Sequence, residues 1–241
     1  MSGLVFEYPR EWYNFTASKF QVRQMGLGFK PSFRATQKTS RLIEQFFYAE
    51  FVQKPERGPS AWQQKEAFFA RLEGEVNYLR ISDPLRCAPL YNRIQANAPV
   101  PQPFGDGTFF TDGTGWVDGA VPEYATIRAS AARGEDWVVI GDLPTSIMNL
   151  LAPGDLFEIR PDGIASTTSM LHEILTPGHT DDEGFSAVQI RPRLRKNVVS
   201  GDQVVFAYPQ AVMQLTDSEQ ALVSRNANFA SFGFSCGEHT E

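Results

Sequence analysis

The sequence is short of the residues that most often carry chemistry. Its 241 residues include two cysteines and three histidines. Cys87 and Cys236 stand far apart, with no CxxC spacing that would suggest a redox pair or a thiolate zinc site. Two idle thiols made in a reducing compartment fit this pattern better than a disulfide. His172 and His179 are separated by a Pro-Gly turn at no known ligand spacing, and His239 lies far downstream. No GxSxG elbow, HExxH, Walker A or GxGxxG occurs. Gly26-Leu-Gly28 lacks the third glycine and reads as a turn after a first strand.

Positive charge is also scarce. Lys and Arg number 22 against 28 Asp and Glu, giving a net charge of −6 and a pI near 5.2. Such a chain presents no overall field to draw nucleic acid or an anionic membrane, so neither sequence-specific nucleic-acid binding nor membrane insertion is expected. Apolar runs such as Trp137–Ile140 are far too short to span a bilayer. The opening Met1-Ser-Gly-Leu-Val-Phe-Glu-Tyr-Pro9 has no charged region followed by an apolar one, so no secretory leader is expected.

What the chain does have is turns and aromatics: 19 Gly, 16 Pro and 19 Phe. Two segments share one pattern, Leu151-Ala-Pro-Gly-Asp-Leu-Phe-Glu-Ile159 and Val199-Ser-Gly-Asp-Gln-Val-Val-Phe206. Each leads through Gly-Asp into an apolar strand. Glycine admits the positive φ of a tight turn, and aspartate can hydrogen-bond nearby backbone. Gly154 and Gly201 are therefore expected in tight turns, with Asp155 and Asp202 bonding locally.

Periodicity places the remaining elements. Lys19–Met25 alternates as a half-buried strand, and Phe46–Val52 is aromatic and β-prone. Ala61–Glu73 reads as a helix, with Ser60 as N-cap, Gln63 completing a capping box and Gly74 as the stop. Its apolar side carries Trp62, Phe69 and Leu72, with Phe68 beside them. A strand follows over 76–81. Further strands are expected at 124–130, 137–140, 156–160, 169–175, 187–191, 204–208 and 229–235. In 204–208 the large residues Val204, Phe206 and Tyr208 should share a face. Trp62 and Trp137 are expected in the core, whereas Trp12 and Trp116 lie in less regular segments.

The resulting fold class is mainly β (α+β): an N-terminal β-sheet with one packed helix, then a β-sandwich or small β-barrel. Three segments are expected. Residues 1–87 form a ring-forming β domain with its helix at 61–73. Residues 88–115 form a Pro/Gly-rich linker or arm bearing Phe104, Phe109 and Phe110. Residues 116–241 form a β-rich module.

Polar constellations favour structural readings. Thr176-Pro-Gly-His-Thr-Asp-Asp-Glu183 reads as an acidic hairpin tip rather than a metal site. Arg191, Arg193 and Arg195, with Lys196 next, would line one face of a strand; a solvated face or intersubunit ion pairs explain them better than an anion site. The 28 carboxylates single out no glycosidase pair. No catalytic, cofactor-binding or metal-ligating residue is nominated, and no cofactor is expected.

Against this background one resemblance stands out. Phe47-Tyr-Ala-Glu-Phe-Val52, a polar loop, a helix ending Ala67-Phe-Phe-Ala-Arg-Leu-Glu-Gly74, a strand and Asp83-Pro-Leu-Arg86 resemble the N-terminal half of tail-tip proteins of long-tailed, siphovirus-like bacteriophages. Leu150–Ile159, Asp181-Asp-Glu-Gly184, Val188-Gln-Ile-Arg-Pro-Arg-Leu-Arg195 and Ser200-Gly-Asp202 extend the likeness over about Phe46 to Leu215, while 88–115 matches less well. The family is that of distal tail proteins. The resemblance implies a non-enzymatic structural virion protein, assembled in the host cytoplasm, whose copies form a hexameric ring at the tail tip. The ring would join the tail tube protein to hub or baseplate proteins or a fibre, near a possible host surface glycan. It brings no catalytic residue. Two rival readings remain: a carbohydrate-binding host-recognition protein using Trp116, Phe109 and Phe110, and a polysaccharide or peptidoglycan hydrolase.

Overall fold

The computed structural model describes residues 3–29, 38–57, 59–73, 76–97, 120–163, 165, 167–216, 222–226 and 229–238. Trp116, Phe104, Phe109, Phe110, His239 and Gly74 lie outside the described residues, as does most of the 88–115 segment. The protein is mainly β and divides into two compact units. One comprises Met1–Ile81 and Ala211–Glu241, the other Ser82–Gln210.

The first unit is built on an eight-stranded sheet. Its strands are β1 (Val5–Glu7), β2 (Phe15–Phe29), β3 (Lys38–Gln53), β4 (Glu56–Arg57) and β5 (Tyr78–Ser82), joined late in the chain by β12 (Gln210–Leu215), β13 (Leu222–Asn226) and β14 (Phe229–Glu238). The path runs β1-β5-β12-β14-β3-β2, with β13 and β4 also paired to β14. β1 runs parallel to β5, and β14 is antiparallel to β12 and β3. Phe232, Phe234 and Cys236 alternate along β14 and are buried, as a strand with one inward face requires. Burial also pushes the Cys236 thiol pKa up.

The helix α1 (Pro59–Arg71) begins one residue before the expected cap. Proline suits the first helical position because its missing N–H would have no partner there. The chain leaves the helix through a left-handed residue at Glu73 (φ 48°), one residue before Gly74. Asn77 covers the exit: its side-chain N–H donates to the Arg71 carbonyl at 2.9 Å, and its Oδ1 accepts from the Leu4 amide at 2.8 Å. The buried face is Lys65, Phe68, Phe69 and Leu72, spaced i, i+3, i+4, i+7. Trp62 is only half-buried. Tyr8 centres the aromatic core, with ring contacts to Trp12, Tyr13, Phe15, Phe68 and Phe234. Its hydroxyl accepts from the buried Gln53 amide, which also donates to the Trp12 carbonyl at 3.1 Å.

The second unit is a closed barrel. Its strands are β6 (Tyr124–Ile127), β7 (Trp137–Gly141), β8 (Leu156–Arg160), β9 (Met170–Ile174), β10 (Ser186–Arg191) and β11 (Gln203–Val205). They close in the order β10-β7-β6-β11-β8-β9, every ladder antiparallel. Ile127, Ile140, Phe157, Ile159, Ile174, Val188, Ile190 and Phe206 fill the interior. Closure leaves no strand of the barrel with an open edge.

Several expectations are corrected here. The last strand, β14, belongs to the N-terminal sheet, so the expected module 116–241 ends near Gln210. Non-local pairing decides this, and local sequence does not encode it. Within 88–115, residues Leu90–Asn97 form a second helix, α2. Asn92 exchanges two 2.7 Å hydrogen bonds with the backbone of Val121, pinning both flanks of the intervening segment. Trp137 is 49% exposed, because β7 turns Val138 and Ile140 inward and the period of two puts Trp137 outside. β11 stops at Val205, and Tyr208 is exposed at φ 51°, so it does not share the face of Val204 and Phe206.

Candidate functional site

The two Gly-Asp segments form matching turns at the barrel's strand ends. Gly154 has φ +93° and Gly201 φ +100°. In each turn the aspartate amide donates to the carbonyl three residues back: Asp155 to Ala152 and Asp202 to Val199, both 3.1 Å. Pro153 and Gly154 at the central positions are the residues a type II turn favours. The carboxylates lock the same loops. Asp155 Oδ2 accepts from the Ala152 amide at 2.8 Å, and Asp202 Oδ2 from the Val199 amide at 2.9 Å.

The sequence-highlighted polar groups are taken up by structure. His172 is fully buried in β9, 2.8 Å from the Pro192 carbonyl through Nδ1. Burial, then the Arg195 charge, hold its pKa down at about 3, against the pull of that carbonyl. His179 is exposed, and its Nδ1 accepts from the Asn149 amide at 3.0 Å. In the acidic tip, Asp181 Oδ1 accepts from the amides of Glu183 and Phe185 at 3.0 and 2.7 Å. The arginines do not share one strand face, since β10 ends at Arg191. Arg191 pairs with Glu173 at 2.8 Å, which also meets Arg86 at 3.3 Å, while Arg193 lies 3.7 Å from Asp136. The pairs of Arg191 and Arg193 form within one unit. Among the described residues, no group of three or more His, Cys, Asp or Glu is placed to hold a metal ion.

A shallow cleft lies on the outer wall of the barrel. It has a volume of about 500 Å³ and is lined by Tyr124, Thr126, Asp142, Gly163, Gly201 and Gln203, with Ala125 behind them. Register explains the grouping. Gln203 stands opposite Thr126 across β11 and β6, and Thr126 stands opposite Gly141 across β6 and β7. Side chains alternate along β6, so Tyr124 and Thr126 share the outer face while Ala125 and Ile127 point inward. Asp142 follows at φ 60°, and the Thr126 hydroxyl donates to its Oδ2 at 2.6 Å. A Cβ at Gly163 or Gly201 would meet open space, so both present bare backbone to the cleft.

Sequence reasoning missed this site. Alternation marks Tyr124 and Thr126 as outward, but nothing local announces a left-handed Asp142 or brings Gln203 alongside Thr126. No protein-family model matches the chain. No curated protein matches it either.

Proposed function

We infer that the protein is a structural component of a bacteriophage tail tip: a distal tail protein whose copies form a ring, six-membered by its resemblance to that family, joining the tail tube to hub, baseplate or fibre proteins. One observation carries the assembly part of this reading. β14 pairs with β3 from Tyr48 to Val52, whereas β2 stays paired with β3 out to Phe29 and Lys38. Beyond Tyr48 the two strands therefore run on as a two-stranded ribbon, with no third strand among the described residues. Such a ribbon is marginal alone, and its open edges are templates for pairing with another chain. A repeated head-to-tail contact of that kind closes into a ring where its rotation closes, and otherwise builds an open filament.

The residues carrying the resemblance support a building role. Asp83 Oδ1 accepts the Leu85 amide at 2.9 Å and its Oδ2 accepts from Arg86 at 2.7 Å, while Asp155 and Asp202 hold turns. On this reading the protein is not an enzyme and acts in the assembled virion. Native mass measurement with negative-stain imaging tests it. Annular particles are expected. A variant joining Gln24 to Gln45 through Asn-Gly, a favoured hairpin turn, should keep its fold and lose the rings. A wild-type protein that stays monomeric at every concentration would sink the reading.

A further inference from the structure

We propose that the segment crossing one end of the barrel, residues 142–151, is a pH-sensitive strap that His179 holds shut. This goes beyond the connector reading and rests on different residues. Topology explains why a strap is there. β7 and β8 follow each other in sequence but are not neighbours in the barrel, where β10 and β9 lie between them on one side and β6 and β11 on the other. The chain must therefore cross the barrel's end, and it does so against residues 175–185, which join β9 to β10. Leu143 and Leu150 of the crossing are buried in the barrel core, and Ile147 packs on it, so the strap closes that end.

The crossing is strained and lightly held. Asp142, Ser146 and Asn149 take left-handed φ of 60°, 56° and 55°, a conformation that residues other than glycine keep only where their surroundings impose it. The segment 175–185 supplies the hold. The Ser146 amide donates to the Asp181 carbonyl at 2.8 Å and the Ile147 amide to the Thr180 hydroxyl at 2.9 Å, while the Thr180 amide donates to the Ile147 carbonyl at 3.0 Å. Asn149 is held differently: its amide donates to His179 Nδ1 at 3.0 Å. Carbonyls and hydroxyls keep their lone pairs at any pH near neutral. An imidazole does not. Once protonated, both its nitrogens are donors, and Nδ1 would turn an N–H toward the N–H of Asn149. His179 is exposed, so a proton reaches it without unfolding.

The other ionisable side chains of the two segments are Asp142, Asp181, Asp182 and Glu183. All are carboxylates, a class that titrates at lower pH than imidazoles do. Asp142 accepts the Thr126 hydroxyl, and Asp181 accepts the Glu183 and Phe185 amides. Arg128 also reaches this end, with its guanidinium 4.7 Å from the centre of the Phe185 ring, and arginine is always charged. Mild acid therefore changes one group of the clasp, and it changes the one that grips Asn149. Released, the strap would uncover Leu143 and Leu150.

Hydrogen exchange of the full chain, corrected for its intrinsic pH dependence, tests this at about pH 7.5 and about pH 5.5, on either side of the imidazole range. On acidification the amides of Ser146, Ile147 and Asn149 should lose protection by at least about fivefold, a factor that one hydrogen bond supplies. His179→Asn places an acceptor that does not titrate, Oδ1, where Nδ1 stood, and should keep the strap protected at both pH values. His179→Ala should leave it unprotected at both. His172, whose response to acid acts on the whole barrel, is present in all three proteins and cancels between them. Equal protection of the wild-type strap at both pH values would overturn the proposal. So would a loss in His179→Asn as large as in the wild type, full protection in His179→Ala, or a loss in His179→Ala shared equally by the amides of β7 and β10. Ring formation is read independently, so the strap can fail while the connector reading stands.

Discussion

The carboxylate of Asp155 accepts the backbone N–H of Leu90 at 2.7 Å, across 65 positions of sequence. Asp155 thereby serves two structures at once: its own turn through Ala152, and the first residue of α2. Burial pushes its pKa up, although both amides and the nearby Arg93 and Arg86 charges pull it down. A charge-assisted bond contributes roughly 1.5–3 kcal/mol, and removing an acceptor from buried donors adds to the loss. Asp155→Ala should therefore destabilise the barrel unit by about 2–4 kcal/mol. It should also raise hydrogen exchange across Leu90–Asn97. Asp202→Ala should cost less and leave that exchange unchanged, and equal exchange at α2 in both variants would contradict the dual role.

Acid should weaken the barrel through His172. Its folded pKa of about 3 lies below the ordinary 6.5. Between these values the unfolded chain takes up a proton that the folded one refuses, so stability falls as pH drops from 6.5 toward 3, at up to about 1.4 kcal/mol per pH unit. Above pH 6.5 this contribution is fully present and flat. Asp155, whose folded pKa is raised, works in the opposite sense: its penalty is relieved as pH falls through that raised value. The difference between wild type and His172→Phe isolates the histidine. Parallel stability curves for the two between pH 7 and pH 4 would refute the assignment.

Helix packing makes a graded prediction. Phe69 is 2% exposed, with its ring 5.0 Å from that of Phe234. Phe69→Ala should cost about 3–5 kcal/mol. Trp62→Ala, at a half-buried position, should cost clearly less despite the larger side chain. Urea midpoints of the two variants give the comparison, and the reverse order would mean that the buried face of α1 is wrongly placed.

The glycines separate backbone strain from crowding. Gly154 and Gly184 both have positive φ, +93° and +79°. Added at Gly154, a Cβ meets nothing within 4 Å; at Gly184 it would lie 2.3 Å from the Leu143 carbonyl oxygen. Gly154→Ala should cost roughly 1–2 kcal/mol, the left-handed penalty alone. Gly184→Ala should cost substantially more, because backbone must move as well. Thermal melts showing equal losses would argue against the close approach at Leu143.

What the sequence disclosed follows from how local each signal is. β8 falls on Leu156–Arg160 as its apolar run indicates, and the Gly-Asp turns follow from glycine's freedom and aspartate's short carboxylate. The helix was legible from its 3.6-residue spacing, though Lys65 occupies a buried position that apolar patterning would never nominate. Lost were features set by distant partners. β12 is buried along most of its length and shows no clean alternation. The strand expected at 229–235 forms as β14, but neither its place in the first sheet nor its partner β13 is marked locally. α2 sits within Pro/Gly-rich surroundings, and its anchor, Asp155, lies far along the chain. The cleft was invisible because β6, Asp142 just past β7, Gly163, and Gly201 and Gln203 at the start of β11 are far apart in sequence, and only the strand register joins them.

The placement of β14 bears on the order in which the chain can fold. It lies between β12 and β3, and its Phe232 and Phe234 fill the core formed with Phe51 and Phe69. During synthesis, residues 3–81 emerge early yet cannot close their core until Phe229–Glu238 arrives. The barrel, continuous from Ser82 to Gln210, has all its strands in hand before that. The second unit can therefore mature while the first still waits with its aromatic face open. Until β14 arrives, that aromatic face and the edge of β3 that β14 covers are the aggregation-prone surface of the nascent chain.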